Sequence, residues 1–103
     1  MNFTKVDFEK DVIQSEIPVL VDFSATWCGP CRAIAPFVEQ VASEFSGKAR
    51  VVTIDVDEYP EVAGKYGIMS IPSLVVFKGG QAVDRIVGAA PKDQISGLLA
   101  RHL

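Results

Sequence analysis

The stretch that decides the fold is Trp27-Cys28-Gly29-Pro30-Cys31, which holds both cysteines of the 103-residue chain. Just before it runs Val19-Leu20-Val21-Asp22-Phe23, an apolar segment rich in β-branched residues that predicts a buried strand. Just after it, apolar residues recur at steps of three and four, which predicts one face of a helix: Ile34, Phe37, Val38, Val41 and Phe45. The two cysteines therefore lie where a buried strand turns into a helix.

This position favours a reactive thiol at Cys28. Pro30 suits the first turn of a helix, where a backbone N–H would have no partner. Free N–H groups and the positive end of the helix dipole then stabilise a thiolate at Cys28, and the thiolate is the nucleophilic form of cysteine. We expect Cys31, about one turn further along, to be the more buried thiol. A nucleophile with a resolving thiol behind it forms a centre for dithiol–disulfide exchange.

Length and composition limit the other classes of function. The chain fits a single domain, 1–103, and 49% of its residues are hydrophobic, enough for a real core. A net charge of −3 argues against nucleic acid as a partner. No apolar run approaches the roughly 18 residues of a membrane span. Residues 1–7 lack the basic and apolar regions of a signal peptide, so we expect a cytoplasmic protein without a membrane partner.

The strand and helix patterns alternate along the chain. The predicted strands are Phe3–Lys5, Val19–Ser24, Val51–Val56 as a second central strand, Ser73–Phe77 and Ala82–Val87, the last two flanking a Gly79-Gly80 hairpin turn. Four helices are predicted. The first is capped by Thr4 or Asp7 and ends near Ser15, and the second follows Cys31, is kinked at Pro36 and is capped by Gly47. The third is a short helix at Pro60–Tyr66, and the last is opened by Pro91. The last helix carries Ile95, Leu98 and Leu99 inward and ends with Arg101 and His102, which suit the negative end of its dipole.

This order of elements predicts a three-layer α/β fold. Its central sheet should be mixed and mostly parallel, with helices on both faces and a C-terminal antiparallel hairpin at its edge. Strands that are joined through helices should be parallel to each other.

Other readings of the cysteine pair fit the sequence less well. A structural zinc site needs about four ligands, and two thiols with the single histidine, His102, do not supply them, so we expect no metal. Haem attachment requires histidine after the second cysteine, where this chain has Arg32. A disulfide that spans two residues closes a short loop and stabilises little by chain entropy. Redox chemistry is therefore the favoured interpretation.

Several separate motifs show that the chain resembles the thioredoxin family along essentially its whole length. They are Val21-Asp22-Phe23, Trp27-Cys28-Gly29-Pro30-Cys31, Tyr66-Gly67-Ile68, Ile71-Pro72-Ser73, Gly79-Gly80 and Val87-Gly88-Ala89. A lone C-x-x-C would be a weak signal, but the five-residue motif in a βαβ setting with a matching Ile-Pro is a strong one.

The resemblance implies a thioredoxin-like fold and an enzyme that reduces protein disulfides. Cys28 would attack the substrate disulfide, and Cys31 would resolve the mixed disulfide. A flavoprotein thioredoxin reductase would restore the dithiol with NADPH, so the chain itself would bind no cofactor. The partners expected are this reductase and oxidised proteins, and the chain should act as a monomer in cell redox homeostasis.

Two further residues have candidate catalytic roles. Asp22 is a carboxyl group in an apolar strand, where burial should raise its pKa, so it can accept the proton of Cys31; alternatively it is an ordinary buried acid with a backbone or water partner. Pro72 can open an edge strand, whereas the resemblance implies a cis Ile71–Pro72 bond that leaves the Ile71 backbone free to pair with substrate.

Apolar residues near the cysteines predict a docking patch for substrate. We define the docking patch as Trp27, Gly29, Pro30, Met69, Ile71, Gly88 and Ala89. Each of these residues alone could equally belong to the core or to a turn. A surface that discriminates weakly among partners suits a general reductant. The alternative functions are a disulfide isomerase or oxidase, and a binding subunit that uses the same surface without redox turnover.

Three positions depart from the family pattern. Ser24 stands where the family often has an aromatic residue, Val51 where many members have a lysine near the buried acid, and Ser73 where threonine is more usual. The absence of that lysine questions any proton-transfer scheme that requires it. Gly29 and Pro30 offer no charge or side-chain donor to a thiolate, which predicts a moderate thiol pKa and a reductant.

Overall fold

The structure, a computed structural model, describes residues 5–103. A short π-helix, Glu9–Ile13, precedes strands β1 (Val19–Ser24), β2 (Arg50–Asp55), β3 (Ser73–Lys78) and β4 (Gln81–Val87) and helices α1 (Gly29–Glu44), α2 (Pro60–Lys65) and α3 (Lys92–Ala100). The predicted elements from Val19 onward are therefore confirmed within one or two residues. The predicted strand Phe3–Lys5 and the cap Thr4 fall largely outside the described residues, and Lys5 is not in a strand.

The sheet is mixed, with the strand order β2-β1-β3-β4 over the described residues. β1 is parallel to β2 and antiparallel to β3, so the expectation that helix-linked strands are parallel holds for β1 and β2 but is wrong for β3. The two connecting helices differ in length. The 16 residues of α1 span about 24 Å, enough to return the chain along a strand, whereas the six residues of α2 span about 9 Å.

The predicted central position of the second strand is not confirmed by this part of the chain. Within residues 5–103, β2 has a neighbour on one side only, and three of its six residues are half-buried. β1 and β3 are the inner strands of this sheet, and all six residues of β1 are buried. The site motif therefore follows the best-protected strand of the sheet.

Helices cover both faces of the sheet, which confirms the three-layer prediction. On one face, Leu20, Leu74 and Val76 pack against α1 and α3. On the other face, Val21, Phe23 and their neighbours pack against the π-helix and α2. Because side chains alternate along a strand, Asp22 lies on the same face as Leu20, the face that α1 covers.

Local signals in the sequence account for the ends of the elements. The side chain of Asp7 accepts a hydrogen bond from the backbone N–H of Lys10, whereas the N-cap residue of the π-helix is Phe8. Gly47 has φ of 84° directly after α1, as a C-terminal cap requires. Pro36 lies inside α1, which continues through it to Glu44.

The role predicted for Arg101 and His102 is different in the structure. α3 ends at Ala100, and both side chains contact Asp84 of β4, each with a nitrogen 2.9 Å from Oδ2. These contacts join the end of α3 to the β3–β4 hairpin. The sequence predicted only an interaction with the helix dipole.

Candidate functional site

Cys28 and Cys31 form a disulfide at the start of α1, with Cα atoms 5.3 Å apart. Cys28 is the N-cap residue of the helix, and its Sγ accepts a hydrogen bond from the N–H of Cys31 at 3.2 Å. Cys28 is 5% exposed and Cys31 is 0% exposed, so Cys31 is the more buried sulfur, as predicted. In the reduced protein the same N–H and the helix dipole would stabilise a thiolate at Cys28.

The segment before β3 lies directly against Cys28. The Ile71–Pro72 peptide bond is cis, and Sγ of Cys28 is 4.0 Å from the carbonyl oxygen of Ile71. The Pro72 carbonyl accepts a hydrogen bond of 2.8 Å from Gly88, which joins the end of β4 to this turn. The hydroxyl of Ser73 donates to the carbonyl of Ser70 at 2.7 Å and closes the turn. The predicted cis bond is thus confirmed, and Pro72 is buried.

Trp27 forms one wall of a shallow groove beside the disulfide. We call it the Trp27 groove; it has a volume of about 170 Å³ and is lined by Trp27, Val56, Ile68, Met69, Ser70 and Ile71. The Trp27 side chain is 66% exposed, and that of Met69 is 94% exposed. Large apolar side chains so exposed and so close together are typical of an interaction surface.

Asp22 is buried in β1 without a charge partner. It is 1% exposed, and neither carboxylate oxygen has a hydrogen-bond partner among the described residues. Desolvation by this burial raises the pKa of Asp22 from 3.8 to about 7. Its neighbours in the sheet register are Thr53 and Leu74, neither of which carries a charge. Asp22 can therefore hold or release a proton near neutral pH.

The departures from the family pattern lie on β1, β2 and β3, the strand of Asp22 and its two neighbours. Val51 is paired with Leu20 in the sheet and packs on the face covered by α1, where it supplies no positive charge. Ser24 is fully buried at the end of β1, and Ser73 is buried at the start of β3. The strand end near the disulfide is therefore built from smaller side chains than the family pattern predicts.

The structure brings most of the predicted site residues together. Cys28, Cys31 and Ile71 pack in one cluster, Pro72 and Gly88 are hydrogen-bonded, and Trp27 and Met69 share the Trp27 groove. Gly29, Pro30 and Ala89 are exposed, and each of them is adjacent in the sequence to one of these residues.

Sequence reasoning missed Asp57. Its Oδ2 accepts a hydrogen bond of 2.8 Å from the indole Nε1 of Trp27, 30 positions away in the chain. The motif Asp55-Val56-Asp57, two acidic residues at the end of β2, was the sequence signal that could have indicated a functional carboxylate here. Which side chain it meets depends on the parallel pairing of β1 and β2, which places both strand ends at one edge.

Residues 5–103 hold neither a cluster of metal ligands nor a membrane-spanning helix. They contain no group of three or more His, Cys, Asp or Glu side chains able to hold a metal ion. Their helices include none that is long and apolar enough to cross a membrane.

Comparisons with known proteins agree with this geometry. The family model described as Thioredoxin matches residues 1–101. The chain is 53% identical to Thioredoxin 1 of a Nostoc species over 97% of its own length and 94% of the relative's. It is 52% identical to a thioredoxin of a Synechocystis species over 93% of this chain and 90% of that one. It is 51% identical to a thioredoxin of Staphylococcus aureus over 97% and 94% of the two chains.

Proposed function

The chain belongs to the thioredoxin family of thiol–disulfide oxidoreductases, and on that premise we propose how its own residues reduce a protein disulfide. The observation that carries the proposal is the Cys28–Cys31 disulfide at the N-terminus of α1, with the Cys31 N–H on the Cys28 sulfur. The same sulfur pair can exist as a dithiol and as a disulfide within one turn of helix, so it can give two electrons to another disulfide.

The first step is attack by the Cys28 thiolate on one sulfur of the substrate disulfide. A bond forms between Cys28 and that sulfur, and the other substrate sulfur leaves as a thiolate. Cys28 takes this role because it is the outer sulfur and accepts the hydrogen bond from the helix N-terminus.

The second step is attack by Cys31 on the Cys28 sulfur, which releases the second substrate thiolate and restores the Cys28–Cys31 disulfide. The Cys31 thiol must first lose its proton. Asp22 is the proposed acceptor, because its pKa of about 7 suits proton transfer near neutral pH and it faces α1 from β1. No lysine is required in this scheme, because the β2 residue opposite Asp22 is Thr53, which carries no charge.

The docking patch holds the substrate for both steps. Trp27, Met69 and Ile71 supply exposed or half-exposed apolar surface beside the disulfide. Ile71 would pair its backbone with an extended substrate segment, and Pro72 would shape that turn. Small residues beside the sulfurs let the substrate backbone approach: Gly29 and Gly88 have no side chain, and those of Pro30 and Ala89 are compact.

The proposed partners are a thioredoxin reductase and oxidised proteins of the cytoplasm. The chain would act as a monomer and would use NADPH only through the reductase, with no bound cofactor. Nucleic acid and membranes have no place in this scheme, and the net charge of −3 agrees with that for nucleic acid.

The test is an NADPH-coupled assay with a thioredoxin reductase and a disulfide-bonded protein such as insulin. We expect NADPH oxidation that depends on all three components and is lost in the Cys28→Ser variant. A reduction potential well above that of the glutathione pool would instead indicate an oxidase or isomerase. Full biological activity of a double Cys28→Ser, Cys31→Ser variant would indicate a binding subunit.

A further inference from the structure

We propose that Asp57 gives this active site a preference for disulfides flanked by basic residues. The inference rests on the proposed function and names a substrate class for it. Asp57 acts here as a specificity-determining residue, because it places a fixed negative charge against the wall of the Trp27 groove.

The position of Asp57 is fixed from both sides. Its Oδ2 accepts the indole N–H of Trp27 at 2.8 Å, although Trp27 itself is 66% exposed. Its backbone N–H donates to Oδ1 of Asp55 at 2.8 Å, and the N–H groups of Glu58 and Tyr59 both donate to the Asp55 carbonyl at 3.0 Å. Asp57 therefore lies on a closed turn, and its carboxylate has a defined place beside the groove.

The phenol of Tyr59 fastens this turn to the rest of the molecule. Its oxygen accepts from the N–H of Val6 at 2.9 Å and donates to the carbonyl of the same residue at 2.8 Å. A charge held on a turn that is anchored in this way keeps its orientation when a substrate binds.

The charges around the groove leave Asp57 unneutralised. The six residues that line the groove include no ionisable side chain. Within residues 5–103, no salt bridge involves Asp57. The cation nearest to Trp27 along the chain is Arg32, whose guanidinium donates to the carbonyl of Thr26 at 2.6 Å. Glu58 and Glu61, on the same turn and at the start of α2, add to the negative sign.

A basic residue next to the substrate disulfide would thus meet both an apolar wall and an opposite charge. An acidic residue in the same place would be repelled by Asp57. Because the carboxylate is exposed to water, the attraction is modest and falls as salt screens it. Such charges change encounter rates and discrimination among partners more than they change the chemical step.

The experiment compares two disulfide peptides that differ only in having Lys or Glu beside each cysteine. For the unmodified protein at low ionic strength, we expect kcat/KM to be roughly three- to tenfold higher for the Lys peptide. The difference should appear mainly in KM and should shrink as salt is added.

Two variants separate the charge of Asp57 from its hydrogen bond. Asp57→Asn keeps an oxygen acceptor for the Trp27 indole and removes the charge, so the preference should fall to less than about twofold. Glu39→Gln changes net charge by the same amount but lies eleven positions after Cys28 on α1, roughly 16 Å along the helix, and should keep the preference.

Different outcomes would contradict the role of Asp57 and the proposed function. Equal rates on both peptides, a preference for the Glu peptide, or a preference that Asp57→Asn keeps in full would overturn the role of Asp57. Failure to reduce either peptide, with an active reductase present, would contradict the proposed function itself.

Discussion

At the scale of the residue, Asp22 combines a structural cost with a chemical use. A raised carboxyl pKa means that the folded state binds the proton more tightly than the unfolded state. Below the ordinary pKa of 3.8 both states are protonated, and the fold bears no penalty. As pH rises from there to about 7 the penalty grows, and it reaches about 4 kcal/mol above that value.

Asp22→Ala should therefore stabilise the oxidised protein at pH 8 by about 1–3 kcal/mol, which is the penalty of about 4 kcal/mol less the cost of the cavity. The gain should shrink towards pH 4, where the folded carboxyl is protonated and the pH is close to the unfolded pKa of 3.8, so that little of the penalty remains. Denaturant unfolding from pH 4 to pH 8 measures it, with Asp22→Asn as a control that cannot ionise but keeps the volume. A variant less stable than wild type at pH 8, or one with the same gain at both ends, would contradict a high-pKa acid at this position.

The sequence predicted the chemistry of single residues best where the reason was local. An apolar strand around one carboxyl is enough to predict a raised pKa, and Pro30 is enough to place the helix start at the cysteines. Asp57 could not be predicted in this way, because its bond to Trp27 joins residues 30 positions apart.

At the scale of the element, the β3–β4 hairpin depends on two adjacent glycines with positive φ. Gly79 has φ of 60° and Gly80 has φ of 82°, as a type I′ turn requires. A Cβ at Gly79 would meet open space, whereas one at Gly80 would lie 3.2 Å from the carbonyl oxygen of Ile13. The two positions therefore differ in the room available for a side chain, but both have a positive φ.

Gly80→Ala should lower the free energy of unfolding by about 1–3 kcal/mol, because it adds a contact with Ile13 to the backbone strain. Gly79→Asn should stay within about 0.5 kcal/mol of wild type, since Asn-Gly is a preferred pair for this turn. The denaturant concentrations at the unfolding midpoints of the two variants test this difference in stability. A Gly79→Asn variant that is the less stable of the two would refute the turn assignment.

The junction of α3 with β4 has the opposite pH dependence to Asp22. Hydrogen bonds from His102 and Arg101 lower the pKa of Asp84 from 3.8 to about 2. A lowered carboxyl pKa gives stability that is present above pH 3.8 and is lost as pH falls through about 2.

Asp84→Asn should therefore reduce the melting temperature at pH 5 to 7, and the gap to wild type should close as pH falls towards 2. Glu16→Gln, at an exposed acid before β1, is the matched control and should leave the melting temperature nearly unchanged. Thermal unfolding followed by circular dichroism across this range measures both. A gap that widens at low pH would show that Asp84 is not held as a carboxylate by these partners.

At the scale of the whole molecule, the sequence predicted the layers and the site but not every strand direction. Hydrophobic periodicity and glycine or proline punctuation gave the helices and strands from Val19 onward, and the cysteine motif gave the site. The direction of β3 was missed because the sequence pattern does not show whether the connection 56–72, which contains the six-residue α2, returns the chain to the opposite end of the sheet. The link of Asp84 to Arg101 and His102 was missed because it requires the packed positions of α3 and β4.

The central claim is that Cys28 attacks and Cys31 resolves, and trapping of a mixed disulfide tests it most directly. Reduced Cys31→Ser and Cys28→Ser variants are incubated with a disulfide-bonded protein, and intact masses are measured without reductant. We predict that Cys31→Ser accumulates a covalent complex through Cys28, since no second thiol releases it, and that Cys28→Ser forms little or none. A complex that accumulates with Cys28→Ser and not with Cys31→Ser would contradict the account.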